Sequence, residues 1–220
     1  MESALIIGAS GGIGSAIGEV LSDRGMDVTG LSRSRDGLDV SDPTSVEEVM
    51  GRLAGPFDHI LVASGILASP GGAPEKSLES IDAQTMARVM AVNAIGPALI
   101  LRQVPRLLPR MGRAAVAVLT ARVGSIGDNQ LGGWYAYRAS KAAANQIVRT
   151  AAIEIGRKRK EAIVVALHPG TVATPFTKNY PAHRKVPPEE AAQNLLRVLD
   201  GLTPAQSGRF FDWAGDEVPW

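Results

Sequence analysis

Two side chains with complementary acid–base chemistry stand four residues apart in the segment Tyr137-Arg138-Ala139-Ser140-Lys141. On an α-helix, residues i and i+4 lie on one face, so the Tyr137 phenol and the Lys141 ammonium would point the same way. The pKa of an unperturbed tyrosine is about 10, and a neighbouring cation favours the phenolate. The spacing therefore indicates a phenol that exchanges a proton near neutral pH, although a surface Tyr–Lys pair has the same spacing.

A glycine-rich loop near the start of the chain is the second chemical feature. A short apolar run leads into Gly8-Ala9-Ser10-Gly11-Gly12-Ile13-Gly14, and an amphipathic segment follows. Glycine allows positive φ and lets the backbone approach a ligand closely. The N–H groups of a first helical turn attract anions, so the stretch predicts a turn that holds a phosphate or pyrophosphate. A turn that only links a strand to a helix shows the same pattern.

Strands and helices in alternation must position these residues. Apolar runs predict strands at residues 5–7, 28–31, 59–63, 114–119, 162–167 and 209–213. Helical patterns cover residues 14–24, 45–53, 81–108 (interrupted near Gly96-Pro97 and Pro105), 135–157 and 188–199. Strands separated by helices of about ten residues or more form βαβ units and a parallel sheet. We predict an α/β fold, a Rossmann-type doubly wound parallel sheet of about seven strands, in a single domain over residues 1–220.

Composition limits the function classes. The 220 residues carry a net charge of +1, so no basic surface for nucleic acid is predicted. The basic run Arg157–Lys160 fits a helix end better than a polyanion site. The chain has no cysteine, and its three histidines lack metal-ligand spacing, so we expect no metal. No apolar run approaches about 18 residues and no signal peptide is evident, so we expect a cytoplasmic protein without a membrane partner.

The glycine loop and the Tyr–Lys pair together resemble the short-chain dehydrogenase/reductase family, and the resemblance extends from Ala4 to Trp220. The segments at residues 124–129 and 132–137 resemble its carbonyl-reductase-like branch, which includes the C-factor and sniffer proteins. Four motifs match in order: G-x-x-x-G-x-G at Gly8, Gly12 and Gly14, the helix asparagine at Asn93, Y-x-x-x-K at Tyr137 and Lys141, and P-G-x-x-x-T at Pro169, Gly170 and Thr174.

The resemblance implies an oxidoreductase that transfers a hydride between a nicotinamide cofactor and a small carbonyl or alcohol substrate. Tyr137 would be the general acid or base, and Lys141 would lower its pKa and hold the nicotinamide ribose. Asn93 would hold a water that links Lys141 to solvent. Helices such as the alanine-rich one at residues 142–152 often pair in this family, so a homodimer or homotetramer is expected.

Cofactor contacts are expected in the loops at the carboxyl ends of the strands. NAD-preferring enzymes place an acid after the second strand, whereas this chain has Ser32 and Arg33, which suit a 2′-phosphate. We therefore predict NADP, with NADPH preferred over NADH; a merely solvated Arg33 is the alternative. The predicted cofactor-binding residues are Gly8, Ser10, Gly11, Gly12, Ile13, Gly14, Ser32, Arg33, Asp39, Val40, Ala63, Ser64, Gly65, Asn93, Tyr137, Lys141, Pro169, Gly170, Val172 and Thr174.

Two positions depart from the family pattern. Ala121 stands where the family has the serine of S-x-x-G, so Thr120, Ser125 or neither supplies that hydroxyl. A shift by one residue reverses the face of a strand, which counts against Thr120. The family's N-A-G reads Ala63-Ser64-Gly65. These departures favour a second hypothesis, a dinucleotide-binding sensor or signalling protein with little or no turnover.

Substrate contacts are expected from a short lid at about residues 175–186 and from the start of the Tyr–Lys helix. The lid contains Phe176, Tyr180 and His183, which suit a pocket wall or, for Phe176, an anchor to the core. Trp134 and Tyr135 precede Tyr137 and fit either a substrate wall or a dimer contact.

Overall fold

The computed structural model describes residues 1–179 and 184–220, so the predicted lid residues Tyr180 and His183 lie outside the described part. Six strands in this part form one parallel sheet: β1 (Ser3–Ile7), β2 (Asp27–Leu31), β3 (His59–Val62), β4 (Ala114–Leu119), β5 (Ala162–His168) and β6 (Phe210–Asp212). Their order is β2-β1-β3-β4-β5-β6. The strand order reverses between β1 and β3, which is where such sheets bind ligands. The predicted α/β fold of the Rossmann type is confirmed.

Helices cover both faces of the sheet. They are α1 (Gly12–Asp23), α2 (Arg33–Asp36), α3 (Pro43–Gly51), α4 (Ala83–Met90), α5 (Gly96–Leu107), α6 (Tyr135–Lys158) and α7 (Pro188–Gly201). Every residue of β4 is buried, as the continuous apolar run predicts. Its side chains alternate between two core clusters: Val116 and Val118 belong to one, and Ala115, Ala117 and Leu119 to the other. The residues that follow β4 are thus fixed by a packed centre.

The sheet has six strands where about seven were predicted. The six strands correspond to the six apolar runs that the sequence predicts, so the seventh strand had no run of its own. Between β2 and β3 the chain forms α2 and α3. Ser32 caps the start of α2, and Gly37 ends it with a φ of 73°. The Asp39 carboxylate then accepts hydrogen bonds from the Ser41 N–H and hydroxyl, which fix the turn before α3.

The long predicted helix at residues 81–108 is interrupted at one of its two expected places. A π-helical turn, Ala91–Ile95, separates α4 from α5. Pro97 lies in the first turn of α5, where its missing N–H costs no helical hydrogen bond. Pro105 lies in the last turn of α5 and does not end the helix.

Within the described residues, one helical stretch, Ala83–Leu107, is long and apolar enough to cross a membrane, although its sequence contains no continuous apolar run of that length. In its most apolar 18-residue window, 39% is buried in the structure. Both α4 and α5 contact α6, and α5 also contacts α3 and β3. A core helix meets the same criteria, so the stretch is only weak support for a membrane span.

Candidate active site

A cavity of about 490 Å³ opens where the strands of the sheet end. It gathers side chains from the glycine loop after β1 and from the segments that follow β3, β4 and β5, together with α6. The predicted site residues that line it are Ser10, Gly11, Gly12, Ile13, Gly14, Ala63, Ser64, Gly65, Thr120, Tyr137, Lys141, Pro169, Gly170, Val172 and Thr174.

The glycine loop makes a tight turn that leaves no space for side chains. Gly8 has a φ of 89°, and the Gly11 N–H donates to the Gly8 carbonyl at 3.0 Å. A Cβ on Gly14 would lie 2.3 Å from the Gly8 oxygen, and one on Gly12 would lie 2.7 Å from the Thr174 methyl. The N-terminus of α1 has no side-chain cap and no acidic residue in its first turn. Its N–H groups are therefore suited to an anion.

Tyr137 and Lys141 lie one turn apart on α6, as their spacing predicts. Both are buried, with 7% and 4% of their surfaces exposed. The Lys141 Nζ atom lies 5.8 Å from the centre of the Tyr137 ring and donates a hydrogen bond to the Leu119 carbonyl at 2.9 Å. This bond to the last residue of β4 holds the ammonium against the end of the sheet.

Burial sets the protonation of the cavity in a way that the sequence prediction did not anticipate. Burial raises the pKa of the Tyr137 phenol above its usual value of about 10, although Lys141 was expected to lower it. Burial also lowers the pKa of the Lys141 ammonium, to about 8. The protein alone therefore favours a neutral phenol, which is the form that donates a proton.

His168, which sequence reasoning left without a role, also lines the cavity. Burial lowers the pKa of its imidazole to about 4; the charges of Arg122 and Lys141 act in the same direction, and Asp212 opposes them. The ring is therefore uncharged at neutral pH, and its buried Nδ1 atom has no hydrogen-bond partner among the described residues. Its place directly before Pro169-Gly170 was the one sequence signal that could have identified it.

Asn93 lies in the π-helical turn, is fully buried and is not among the residues that line the cavity. Its Oδ1 atom accepts a hydrogen bond from the Ile66 N–H at 2.8 Å, and its Nδ2 atom donates to the Ile66 carbonyl at 2.7 Å and to the Ser140 hydroxyl at 3.1 Å. The side chain therefore ties the loop after β3 to α6. A Cβ on Gly65 would lie 3.4 Å from Asn93 Oδ1 and 3.5 Å from Lys141 Nζ, so this loop runs directly over both groups.

The two candidate hydroxyls have different surroundings. Thr120 lines the cavity, is 3% exposed, and has a buried Oγ1 atom without a hydrogen-bond partner in the described chain. Ser125 is not a cavity residue, and its hydroxyl accepts a hydrogen bond from the Asp128 N–H at 3.1 Å. Thr120 and Ala121 lie between the end of β4 and a 3₁₀ turn, Arg122–Gly124, and both line the cavity. The expected reversal of face, which holds along a strand, therefore does not exclude Thr120.

Two aromatic rings lie next to Tyr137. The rings of Trp134 and Phe176 each lie with their centres 6.1 Å from that of Tyr137, at interplanar angles of 70° and 57°. Both residues line the cavity, whereas Tyr135 does not. Two further lining residues, Pro175 and Thr177, belong to the predicted lid. The lining residues that the sequence analysis did not name are Leu67, Leu119, Arg122, Val123 and Thr171; most of them lie in the loops after β3, β4 and β5, and loop position was the available signal.

The predicted adenosine-side residues lie apart from this cavity, after β2. Arg33 is exposed in α2, whereas the Ser32 hydroxyl donates to the Asp36 carboxylate at 3.2 Å. Hydrogen bonds from Ser41 lower the pKa of Asp39, and the charge of Arg33 acts in the same direction. Val40 is buried in the core, where a Cβ on Gly96 would lie 2.9 Å from its Cγ2 atom. The Ser32 hydroxyl is thus already bonded, and Asp36 is a nearby acid that the sequence analysis missed.

Comparison with known proteins identifies the class of this fold and site. The family model described as short chain dehydrogenase matches residues 2–185. The chain is 35% identical over 237 aligned residues to 1-hydroxy-2-glutathionyl-2-methyl-3-butene dehydrogenase of Rhodococcus sp. (strain AD45), with 100% of both chains covered. It is 43% identical over 148 residues to C-signal of Myxococcus xanthus, which covers 66% of this chain and 84% of that protein.

Solved structures show the same fold. An NADP-bound crystal structure from Burkholderia multivorans superimposes with a TM-score of 0.84 at 26% identity, covering 100% of this chain and 99% of that one. The structure of carbonyl reductase Sniffer of D. melanogaster superimposes with a TM-score of 0.84 at 20% identity, covering 100% of both chains. The chain belongs to the short-chain dehydrogenase family, as its motifs predict. The similarity to C-signal agrees with the predicted carbonyl-reductase-like branch.

Proposed function

We propose that the protein is an NADP-dependent oxidoreductase that reduces a small carbonyl compound or oxidises the corresponding alcohol. The observation that carries the proposal is the buried Tyr137–Lys141 pair, which faces the same cavity as the uncapped N-terminus of α1. The chain belongs to the short-chain dehydrogenase family and is 35% identical to a dehydrogenase over its full length, and both facts support the same class of reaction.

The residues of the cavity fit such a cofactor. The glycine turn can close as tightly as it does only because Gly12 and Gly14 carry no Cβ, and the N–H groups of the first turn of α1, which has no side-chain cap, would hold the pyrophosphate. Lys141 would hold the nicotinamide ribose, and the segment from Pro169 to Thr174 would lie along the nicotinamide. When bound, the nicotinamide supplies the hydride.

The protein supplies the proton and the orientation. Tyr137 is neutral because burial raises its pKa, so its phenol can donate to the oxygen of a carbonyl that becomes an alkoxide. Below about pH 8 the Lys141 ammonium is charged and stabilises the phenolate that remains. Trp134 and Phe176 place apolar rings next to Tyr137 that would orient the substrate.

Thr120 is the hydroxyl that we assign to the carbonyl oxygen beside Tyr137, because the residue lines the cavity and its Oγ1 atom has no hydrogen-bond partner within residues 1–179 and 184–220. Replacing it with the isosteric valine is expected to lower kcat/KM about fivefold to tenfold, the value of one neutral hydrogen bond. Ser125→Ala is the matched control and should leave kcat/KM within twofold, because Ser125 does not line the cavity. Steady-state kinetics of both variants decide: a larger loss in Ser125→Ala would assign the role to Ser125 instead.

Arg33 is expected to determine the preference for NADPH. Its guanidinium is exposed in the first turn of α2, where it would pair with a 2′-phosphate. Arg33→Ala should weaken NADPH binding about tenfold to hundredfold and leave NADH binding nearly unchanged, because only NADPH carries that phosphate. Fluorescence titration measures both constants, with the exposed Arg52→Ala as control. A wild-type protein that prefers NADH would contradict the assignment.

We further propose a cytoplasmic homodimer or homotetramer that acts on small molecules, with no nucleic-acid or membrane partner. The alanine-rich stretch of α6 supports close helix pairing. Light scattering coupled to gel filtration tests the oligomeric state.

The reaction itself is tested in both directions. NADPH oxidation is measured with a panel of aldehydes, ketones and quinones, and NADP reduction is measured with thioether alcohols. Turnover of any member that requires Tyr137 supports the proposal. Tight NADPH binding with no turnover across the panel would contradict it and favour the sensor hypothesis, to which the missing hydroxyl at Ala121 points.

A further inference from the structure

We propose that Glu75 is a positioning residue that clamps the first turn of α6 and thereby sets the position of the Tyr137 hydroxyl. This inference rests on the proposed function, because it concerns the proton donor of that reaction. Glu75 lies 61 residues before Ala136 in the sequence, in the loop between β3 and α4, and belongs to none of the motifs described above.

The clamp consists of two hydrogen bonds from α6 to one residue. The Glu75 Oε2 atom accepts from the Ala136 N–H at 3.2 Å, and the Glu75 carbonyl accepts from the Trp134 N–H at 2.6 Å. Ala136 and Trp134 flank Tyr135 in the turn that leads to Tyr137. A carboxylate at this end of a helix is also favoured by the helix dipole.

The backbone that enters α6 is strained, so it needs such a clamp. Gly132, Gly133 and Trp134 have φ values of 63°, 64° and 54°, three left-handed residues in succession. Trp134 is the one non-glycine residue with positive φ in residues 1–179 and 184–220. A side chain in this region costs energy and persists only where surrounding contacts determine it. The hydrogen bonds to Glu75 are contacts of this kind, and one of them holds Ala136, the residue directly before Tyr137.

Glu75 is buried although its carboxylate is only partly hydrogen-bonded. The residue is 6% exposed, and its Oε1 atom is buried without a hydrogen-bond partner in the described structure. A buried carboxylate that is only partly satisfied is costly, and glutamate is rarely buried unless it has a specific partner. We attribute the burial of Glu75, despite its unfavourable free energy, to its contact with the helix that carries Tyr137.

The same residue connects two sides of the cavity. Its loop also carries Leu67, which lines the cavity, and Trp134 forms the wall beside Tyr137. Fixing this loop to α6 therefore holds the apolar wall and the proton donor in one relative position. A displacement of about 1 Å at a proton donor can lower turnover about a hundredfold.

Glu75→Ala and Glu75→Gln test the clamp. Glu75→Ala is expected to lower kcat at least tenfold, with KM for NADPH within twofold, because the glycine turn is not touched. Glu75→Gln keeps an acceptor oxygen at the same reach and should restore kcat to within threefold of wild type. Hydrogen exchange measured by mass spectrometry should be faster in the first turn of α6 in Glu75→Ala and near wild type in Glu75→Gln.

Asp82→Ala is the matched control, because Asp82 caps a different helix, α4, by accepting from the Thr85 N–H at 2.7 Å. It should lower the melting temperature and leave kcat within twofold. If Glu75→Ala does not fold, Glu75→Asp, which keeps the charge but shortens the reach, should still lower kcat with little change in melting temperature.

Three results would overturn the clamp. The first is an unchanged kcat in folded Glu75→Ala or, if that variant does not fold, in Glu75→Asp. The others are an equal loss of kcat in Asp82→Ala and an unchanged rate of hydrogen exchange in the first turn of α6. A wild-type protein without turnover on any substrate would overturn the proposed function instead. The exchange measurement does not depend on turnover and would still decide whether Glu75 holds α6.

Discussion

Tyr137→Phe is expected to lower kcat for carbonyl reduction by about 10²- to 10⁴-fold, the usual contribution of a positioned general acid. The substitution removes only the hydroxyl, so the ring contacts with Trp134 and Phe176 remain and the cavity keeps its shape. Binding of NADPH should change little, because the glycine turn and Lys141 are intact. Steady-state turnover and a fluorescence titration of NADPH together measure the two effects.

Tyr135→Phe is the matched control, since Tyr135 lies on the same helix and does not line the cavity. It should retain kcat within twofold. Turnover by Tyr137→Phe at more than a tenth of the wild-type rate would mean that another group donates the proton.

Gly14→Ala is expected to weaken NADPH binding at least about a hundredfold and to lower the melting temperature. The new Cβ would lie 2.3 Å from the Gly8 oxygen and 2.9 Å from the Gly8 carbonyl carbon, so the turn would have to open. Overpacking of this kind typically costs about 1–3 kcal/mol, and opening the turn also displaces the N–H groups that face the cavity. Fluorescence titration and thermal unfolding measure the two losses.

Gly18→Ala, one turn further along α1, separates this effect from a general effect of alanine. A Cβ there would meet only the Val28 Cγ1 atom at 3.8 Å, an ordinary contact. Alanine in a helix interior is favoured over glycine by about 0.5–1 kcal/mol, so this variant should be at least as stable as wild type and bind NADPH normally. Binding by Gly14→Ala within fivefold of wild type would show that the turn does not hold the cofactor.

The family, the α/β fold and the burial of β4 on both faces could be predicted from the sequence, because each depends on local order or on a short spacing. The distance of one helical turn between Tyr137 and Lys141 follows from the helix alone. The crowding at Gly14 is likewise local, because its nearest contact is the Gly8 oxygen, six residues earlier.

Other properties depend on groups that the chain brings together from far apart, and these were wrong or missing in the sequence predictions. The rise in the Tyr137 pKa reflects burial, which no spacing reveals. The folded chain places Thr120 and not Ser125 at the cavity, a choice that the sequence analysis left open.

The sequence by itself thus determined which chemical groups the chain carries: a tight glycine turn at the start of a helix and a phenol paired with an ammonium, both encoded within a few consecutive residues. Only the tertiary structure decided how that chemistry is held. The reason is physical: burial, hydrogen-bond satisfaction and the clamp between Glu75 and Ala136 are properties of packed neighbours, and these neighbours lie tens of residues apart in the chain.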